Sequence, residues 1–456
     1  MQTAFVEPRY YIAAGISITL VQIDFVLATV FFAVVASPFQ YDELLLYPMA
    51  LYFAYALVRD RYMTWPIVQR VWPTLLFPLW WILSSTWAPD PMIAFRTGVM
   101  AMLSMFICIF LATRLTSRQL LLVATIAMFS IAVRSLPQVQ EAISGGRHAR
   151  GIFAHKNQFG AAMSVLALLL LGTACSRRLP GLVRLGALGL LPFSLFLLWA
   201  AQSATSTLTT IGLFGLVLGG LIFVGQRQLL TPLRMVFIFA ALAAGCVVAA
   251  VAVNVLSENP IDMVLGAFGK DRSLTGRTGL WEVALYEIGE RPVLGTGAYG
   301  YWLYFENASI RQLFDDYHLE WSSSFQFHNS WLNIGVEFGL VGLGLAAIGF
   351  VYCLVALVYR ALARGEGEDW ALLAAIATVF LRTLVESELY QPFVLLNVMM
   401  FIGAFIPLER EARTVLPAAE SVQERRPATP RLDRQRPALG RATLAVAGPS
   451  VPKVAD

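Results

Sequence analysis

Two stretches of this 456-residue chain collect the side chains that can handle an anion and a proton. The first, residues 145–160, reads GGRHARGIFAHKNQFG and holds Arg147, His148, Arg150, His155 and Lys156. The second is the hydrophilic insertion from about 256 to 327, which carries Arg277, Arg291 and His318 and ends against His328. All 4 histidines of the chain fall in or beside these two stretches. Arginine stays charged and meets phosphate oxygens with two parallel hydrogen bonds. Arg147 and Arg150 stand beside glycines that let backbone approach a ligand, just before a helix expected to begin near Asn157. A helix N-terminus with guanidinium forks beside it is an anion site. Arg277, between Gly276 and Thr278 and just ahead of a second expected helix, repeats the arrangement. Histidine titrates near neutrality and can accept a proton. Lys270, Arg272 and Arg311 read more simply as solvated charge, and His148 as a solvated neighbour of the arginines.

The elements that must position these groups are membrane helices. The chain is 58% hydrophobic and only 14% charged, which places it among polytopic helical membrane proteins. With roughly 20 apolar residues per span, helices are expected near 11–36, 42–58, 68–86, 94–113, 119–137, 157–176, 184–201, 205–225, 235–256, 329–358, 369–386 and 391–408. The expected fold is an all-α polytopic membrane protein of about 12 transmembrane helices. One large extracytoplasmic loop containing short helices interrupts them. The domains follow: residues 1–256 for helices one to nine, 257–327 for the loop, 328–408 for helices ten to twelve, and 409–456 for a disordered cytoplasmic tail rich in Arg, Pro and Ala. The first apolar run is longer than the core of a signal peptide and reads as a membrane helix. Cys108, Cys175, Cys246 and Cys353 lie in apolar segments without metal-ligand spacing and read as packing residues. A net charge of +4, much of it in the tail, is no nucleic-acid footprint.

Cytoplasmic loops collect Lys and Arg. With the N-terminus inside, Arg59, Arg61, Arg70, Arg114, Arg118, Arg177, Arg178, Arg184, Arg227, Arg234, Arg360 and Arg364 all fall on the cytoplasmic side. The two histidine-bearing stretches then face outward.

Within the insertion, Trp281, Leu285 and Ile288 lie at helical spacing and predict a short amphipathic helix that stops before Pro292. GTGAYG, residues 295–300, matches a dinucleotide fingerprint only formally, because no strand precedes it, and its glycines are expected to make turns. Asn329 or Ser330 is placed to cap the helix that follows, and Gly335 and Gly339 form a small-xxx-small pattern for helix packing. Glu337, two turns inside that helix, costs roughly 2.5–3.5 kcal/mol on insertion scales and so should have a partner or a role. Arg134, Arg382, Glu386 and Glu388 are the candidates for its network. In AQSATSTLTT, Ser203 and Ser206 either bond sugar or phosphate oxygens or bond the preceding helical turn.

Four segments together resemble the O-antigen ligase and polysaccharide polymerase superfamily, and especially its exopolysaccharide-polymerase branch. They are RGIFAHKNQFG at 150–160, QSATS at 202–206, TGRTGLWEVALYEIGERPVLGTGAYGY at 275–301 and HNSWLNIGVEFGLVGL at 328–343. The resemblance implies a metal-independent, inverting membrane glycosyltransferase that needs no cofactor and works in the bacterial inner membrane with its active site facing the periplasm. Its donor would be an oligosaccharide on a polyprenyl pyrophosphate, and its acceptor a lipid-linked glycan in a polymerase or lipid A core in a ligase. Chain-length regulator and flippase proteins are the implied partners, beside membrane lipids. Carried over by motif, His328 looks like the general base, Arg277 and Arg150 with Arg147 the pyrophosphate clamp, and His155, Lys156, Asn157, Ser203, Ser206, Asn329 and Glu337 substrate-binding neighbours. A transporter or flippase of lipid-linked sugar would also use outward arginines, but it predicts inverted repeats, and none is visible.

Overall fold

The computed structural model describes residues 9–12, 16–36, 43–153, 155–225, 277–303, 311, 326–384 and 386–408. It is a multi-pass helical membrane protein. Among the described residues six helices are long and apolar enough to cross a membrane, with two shorter apolar helices beside them. The expected ninth helix, at 235–256, and the tail after 408 lie outside the described residues, as do Lys270, Arg272 and His318.

The first expected helix begins later than hydropathy suggests: a hairpin of Arg9–Ile12 with Ile16–Thr19 precedes α1, Leu20–Ala36. α2 spans Glu43–Arg59. The expected helix at 68–86 is divided into α3, Arg61–Val71, a 3-10 turn at Trp72–Leu75, α4, Leu76–Leu83, and a second 3-10 turn at Ser84–Thr86. Pro73 explains the first division, since it lacks an N–H and its ring displaces the carbonyl four residues back. α5, Pro91–Arg114, starts at an Asp90 cap, and α6, Ser117–Arg134, at a capping box of Thr116 and Gln119. Then come α7, Leu136–Ser144, α8, Lys156–Cys175, α9, Gly181–Ala201, and α10, Ala204–Gly220. α7 is polar and short, which is why hydropathy passes over it. The described part of the insertion holds α11, Arg277–Glu290, and α12, Gly300–Leu303; after it come α13, Ser330–Arg364, α14, Gly367–Thr383, and α15, Leu395–Phe405.

The core runs through α5, α6 and α8, whose interior faces include Phe110, Leu111, Leu121, Ala124, Leu166 and Leu169, all fully buried. At the end where α5 finishes, Arg114 pairs with Asp24 of α1 at 2.8 Å and with Asp60. At the join of α13 and α14, Arg360 donates to the Ser117 hydroxyl at 2.6 Å, and Arg364 pairs with Asp369 at 3.2 Å. Buried ions paired this way fix which helix ends meet.

α13 is not one rod. Gly339 has φ 66° and ψ −173° and breaks it, so the reading of Gly339 as a helix-packing glycine is corrected. A break inside a membrane protein must find new partners for the backbone it frees. The Thr296 amide donates to the Val336 carbonyl at 2.9 Å, and the Gly297 amide to the Glu337 carbonyl at 2.8 Å. The Trp80 indole donates to the Phe338 carbonyl at 3.1 Å, and the Leu340 amide donates to the Pro292 carbonyl at 2.7 Å. GTGAYG therefore does make turns, with Gly295 and Gly297 at positive φ, and those turns thread into the break. Gly335, by contrast, packs as expected of a small residue, against Ile288 of α11.

A Cβ at Gly339 would stand 2.1 Å from the Val293 carbonyl oxygen at a backbone angle that L residues avoid. Gly339→Ala is expected to lower stability by about 1–3 kcal/mol, read as a fall in melting temperature of the purified protein. Gly344→Ala, with open space around its Cβ, should stay within about 0.5 kcal/mol of the parent.

Candidate active site

The stub of α13 ahead of the break, residues 330–338, carries the candidate site. His328 sits immediately before it with φ 51°, a backbone angle uncommon for a residue with a side chain. Its Nδ1 faces Glu386 Oε2 at 3.4 Å, and both side chains are partly open to solvent. Asn329 is the cap: its side-chain oxygen accepts from the amides of Trp331 at 3.0 Å and Leu332 at 3.1 Å, while its amide donates to the Leu384 carbonyl at 3.3 Å. Ser330 donates to the Glu386 carbonyl at 2.7 Å and accepts from the amides of Glu388 at 3.1 Å and Leu389 at 3.2 Å. The Trp331 indole donates to Thr383 at 3.0 Å. Residues 328–331 thus fasten the start of α13 to Thr383 and to the segment that follows α14. Glu386 is the functional candidate that sequence reasoning missed in this role. It was placed only in the network of Glu337.

That network is corrected too. Arg382 is taken by Glu388, with Nε 2.9 Å from Oε2 and a second, shorter contact, and Glu386 faces the histidine. Glu337 is buried, and its carboxylate meets Asn333 and the Tyr299 backbone N–H. Tyr299 donates to Gln391 at 3.4 Å. Burial, with the Glu337 carboxylate nearby, pushes the Tyr299 hydroxyl up to about 12, so it remains a donor at neutral pH.

Arg277 is the first residue of α11. One turn on, the Trp281 indole donates to the Phe327 carbonyl at 3.0 Å, the residue before His328. The GR and HN segments, about fifty residues apart in sequence, therefore meet within a helical turn. The buried stripe of α11 is Leu280 and Ala284, packed with Tyr301, Phe327 and Val336. Leu285, expected on that stripe, is 60% exposed, because Ala284 takes the place facing α13.

The arginine loop is held against the turn between α9 and α10. The Ala149 amide donates to the Ala200 carbonyl at 3.0 Å, and the His148 ring bonds Gln202 at 2.7 Å. His148 is therefore anchored rather than merely solvated. Arg147 is exposed and 3.9 Å from Glu141. Arg150 is exposed, its carbonyl accepting the Phe153 amide at 3.1 Å. His155 stands at the N-cap of α8 without a side-chain cap bond, and Lys156 is the first helical residue. Ser203 and Ser206 are buried and spent on the seam with α8: Ser203 reaches Asn157 at 3.3 Å and Ser206 at 3.0 Å. Thr210 donates to Ser164 of α8 at 2.6 Å. Gly160 makes this seam possible, since a Cβ there would lie 2.7 Å from Ser203 Cβ. The Ser206 hydroxyl meets that of Ser203, one helical turn before it. Ser203 also borders a cavity of about 690 Å³ with His148, Lys156 and Gln202.

Five described residues other than glycine have positive φ: Gln202, Tyr299, His328, Tyr390 and Phe393. All lie in connections at the end of the bundle where α8 and α13 begin. Such angles persist where surrounding structure enforces them, typically around sites.

The sequence pattern of these segments has a counterpart among known proteins. The chain is similar to the O-antigen ligase family. That family's profile matches residues 187–347, from within α9 past the break in α13, and so covers Ser203, Ser206, Arg277, His328, Asn329 and Glu337. The chain is also 29% identical over 352 residues to the exopolysaccharide production protein ExoQ of Rhizobium meliloti (strain 1021), covering 75% of this chain and 78% of that one. The second similarity extends well beyond the family segment.

Replacing Ser330 leaves the amides of Glu388 and Leu389 without their acceptor. Ser330→Ala should lower stability by about 1–3 kcal/mol, measured by thermal unfolding in detergent.

Proposed function

We propose that this protein polymerises oligosaccharide repeat units carried on polyprenyl pyrophosphate, at the outer face of the bacterial inner membrane, by metal-independent inverting glycosyl transfer. The observation that carries the reading is His328, turned by its backbone toward Glu386 within a turn of the helix that begins at Arg277. The similarity to an exopolysaccharide production protein over three quarters of the chain favours a polymerase.

In this reading His328 accepts the proton of the acceptor hydroxyl as that oxygen attacks the anomeric carbon of the donor. With Nδ1 beside Glu386, we assign the proton transfer to Nε2; the carboxylate fixes the tautomer and stabilises the imidazolium that forms, as in other carboxylate–histidine pairs. The bond from the anomeric carbon to the lipid pyrophosphate breaks, and its electrons leave on the pyrophosphate. Arg277, Arg150 and Arg147, with Lys156 and the N-terminus of α8, offset that charge. Asn329 and Glu337 hold the stub of α13 on which the base stands. Flippase and chain-length regulator proteins are the proposed functional partners.

A ligase reading, with lipid A core as acceptor, uses the same clamp and base and is favoured by the family match to O-antigen ligase. The nature of the acceptor separates the two.

His328→Ala and Arg277→Ala are each expected to abolish polymer in cells while membrane levels of the protein stay normal. A general base contributes about 10² to 10⁴ in rate. Glu386→Gln should give a smaller loss. Normal polymer from His328→Ala or Arg277→Ala sinks this mechanism.

A further inference from the structure

A second cavity, of about 590 Å³, lies across α8 from the one beside the arginine loop. Gln158, Ala161, Ala162 and Val165 give it one wall, and Arg382 and Glu388 border it. The seam with α10 uses a different face of α8, through Asn157, Gly160 and Ser164. At about 1.5 Å per helical residue, Val165 lies roughly 10 Å deeper than Gln158. The cavity is therefore polar near the site, where the Arg382–Glu388 pair stands, and apolar below. Its floor and sides come from α1, α2, α5 and α6. Phe393, which also lines it, is one of the residues held at positive φ, as backbone around a ligand clamp often is.

The cavity beside the arginine loop has the same build. His148, Lys156, Gln202 and Ser203 stand at its polar end, and Leu198 and Phe214 line its apolar part. Both volumes fall within the roughly 300–1,000 Å³ of ordinary ligand sites. Transfer between two lipid-linked glycans requires two lipid carriers to be held at once. The donor's pyrophosphate must reach the arginines, which assigns the donor chain to the cavity next to His148.

We infer that the cavity under Arg382 and Glu388 is a second lipid slot, which holds the isoprenoid chain of the acceptor while its glycan extends toward His328. This rests on the polymerase reading, and it adds a site to that reading. The two chains would lie on either side of the first turns of α8. That helix start becomes the partition that keeps donor and acceptor apart.

The test uses the full-length protein in nanodiscs with a photoreactive isoprenyl pyrophosphate, and reads binding without turnover. The expected result is two probe molecules per protein at saturation. One set of labels should fall on residues 158–165 and 392–396, and the other on α9 and α10. Ala162→Trp should cut labelling of the first set about tenfold, reduce the stoichiometry to one and leave the second set unchanged. Val165→Phe, a milder filling of the same wall, should act in the same direction should the tryptophan variant fail to fold. One probe per protein with every label on α9 and α10 overturns the proposal. So does labelling of 158–165 that excess phospholipid removes and unlabelled isoprenyl pyrophosphate does not, because the slot would then belong to bulk lipid. A wild-type protein that binds two probes but makes no polymer leaves the slot standing and sinks the polymerase reading instead.

Discussion

The break in α13 at Gly339 is the constraint on which the rest of the site depends. It frees the carbonyls of residues 336–338 in a region where water cannot satisfy them. The chain answers with the Thr296 and Gly297 amides and the Trp80 indole. This accounting forces the segment after α11 to lie in the break. α11 is thereby held against the stub of α13, and Trp281 can reach the carbonyl beside His328. The same break lets residues 330–338 take their own direction, separate from the span that follows. A straight helix would offer neither the docking site for the GTG turn nor the short platform that carries the base.

Around that platform the polar groups are sorted by partner. Glu388 occupies Arg382, which leaves Glu386 to face His328. Asn333 and a backbone amide occupy Glu337. Buried or half-buried charges in a membrane protein need such partners, and here the pairing leaves one carboxylate beside one histidine at the open end. On the far side of α8, the arginine loop is tied down by Ala149 and His148 while Arg150 projects outward. A tethered backbone with exposed guanidinium groups suits a clamp that must grip and release an anion.

Much of this was legible in the sequence because the signals were local. The glycines of residues 295–297 read as turns, Asn329 as a cap, and Lys156 and the arginines as the head of a helix, since each depends on its immediate neighbours. What was not legible depends on distant pairs. Glu386 lies 58 residues beyond His328 in the chain, and nothing in its spacing distinguishes it from Glu388. Gly339 was misread because Gly335 and Gly339 have the spacing of a packing stripe, and a break and a close helix contact both ask for glycine. On α11 Trp281 and Ile288 pack inward as their spacing predicts, and only Leu285 is turned out, because the smaller Ala284 lies against the α13 cluster. The contact of Ser203 with Asn157 of α8 joins residues 46 apart in the chain, which no local pattern reveals.

The most direct test of the central claim is to supply the purified protein, reconstituted in vesicles, with repeat units linked to polyprenyl pyrophosphate and no other acceptor. The account predicts a ladder of longer lipid-linked glycans. A protein that stays inactive until lipid A core is added, and then transfers glycan to it, contradicts the polymerase assignment and makes this chain a ligase.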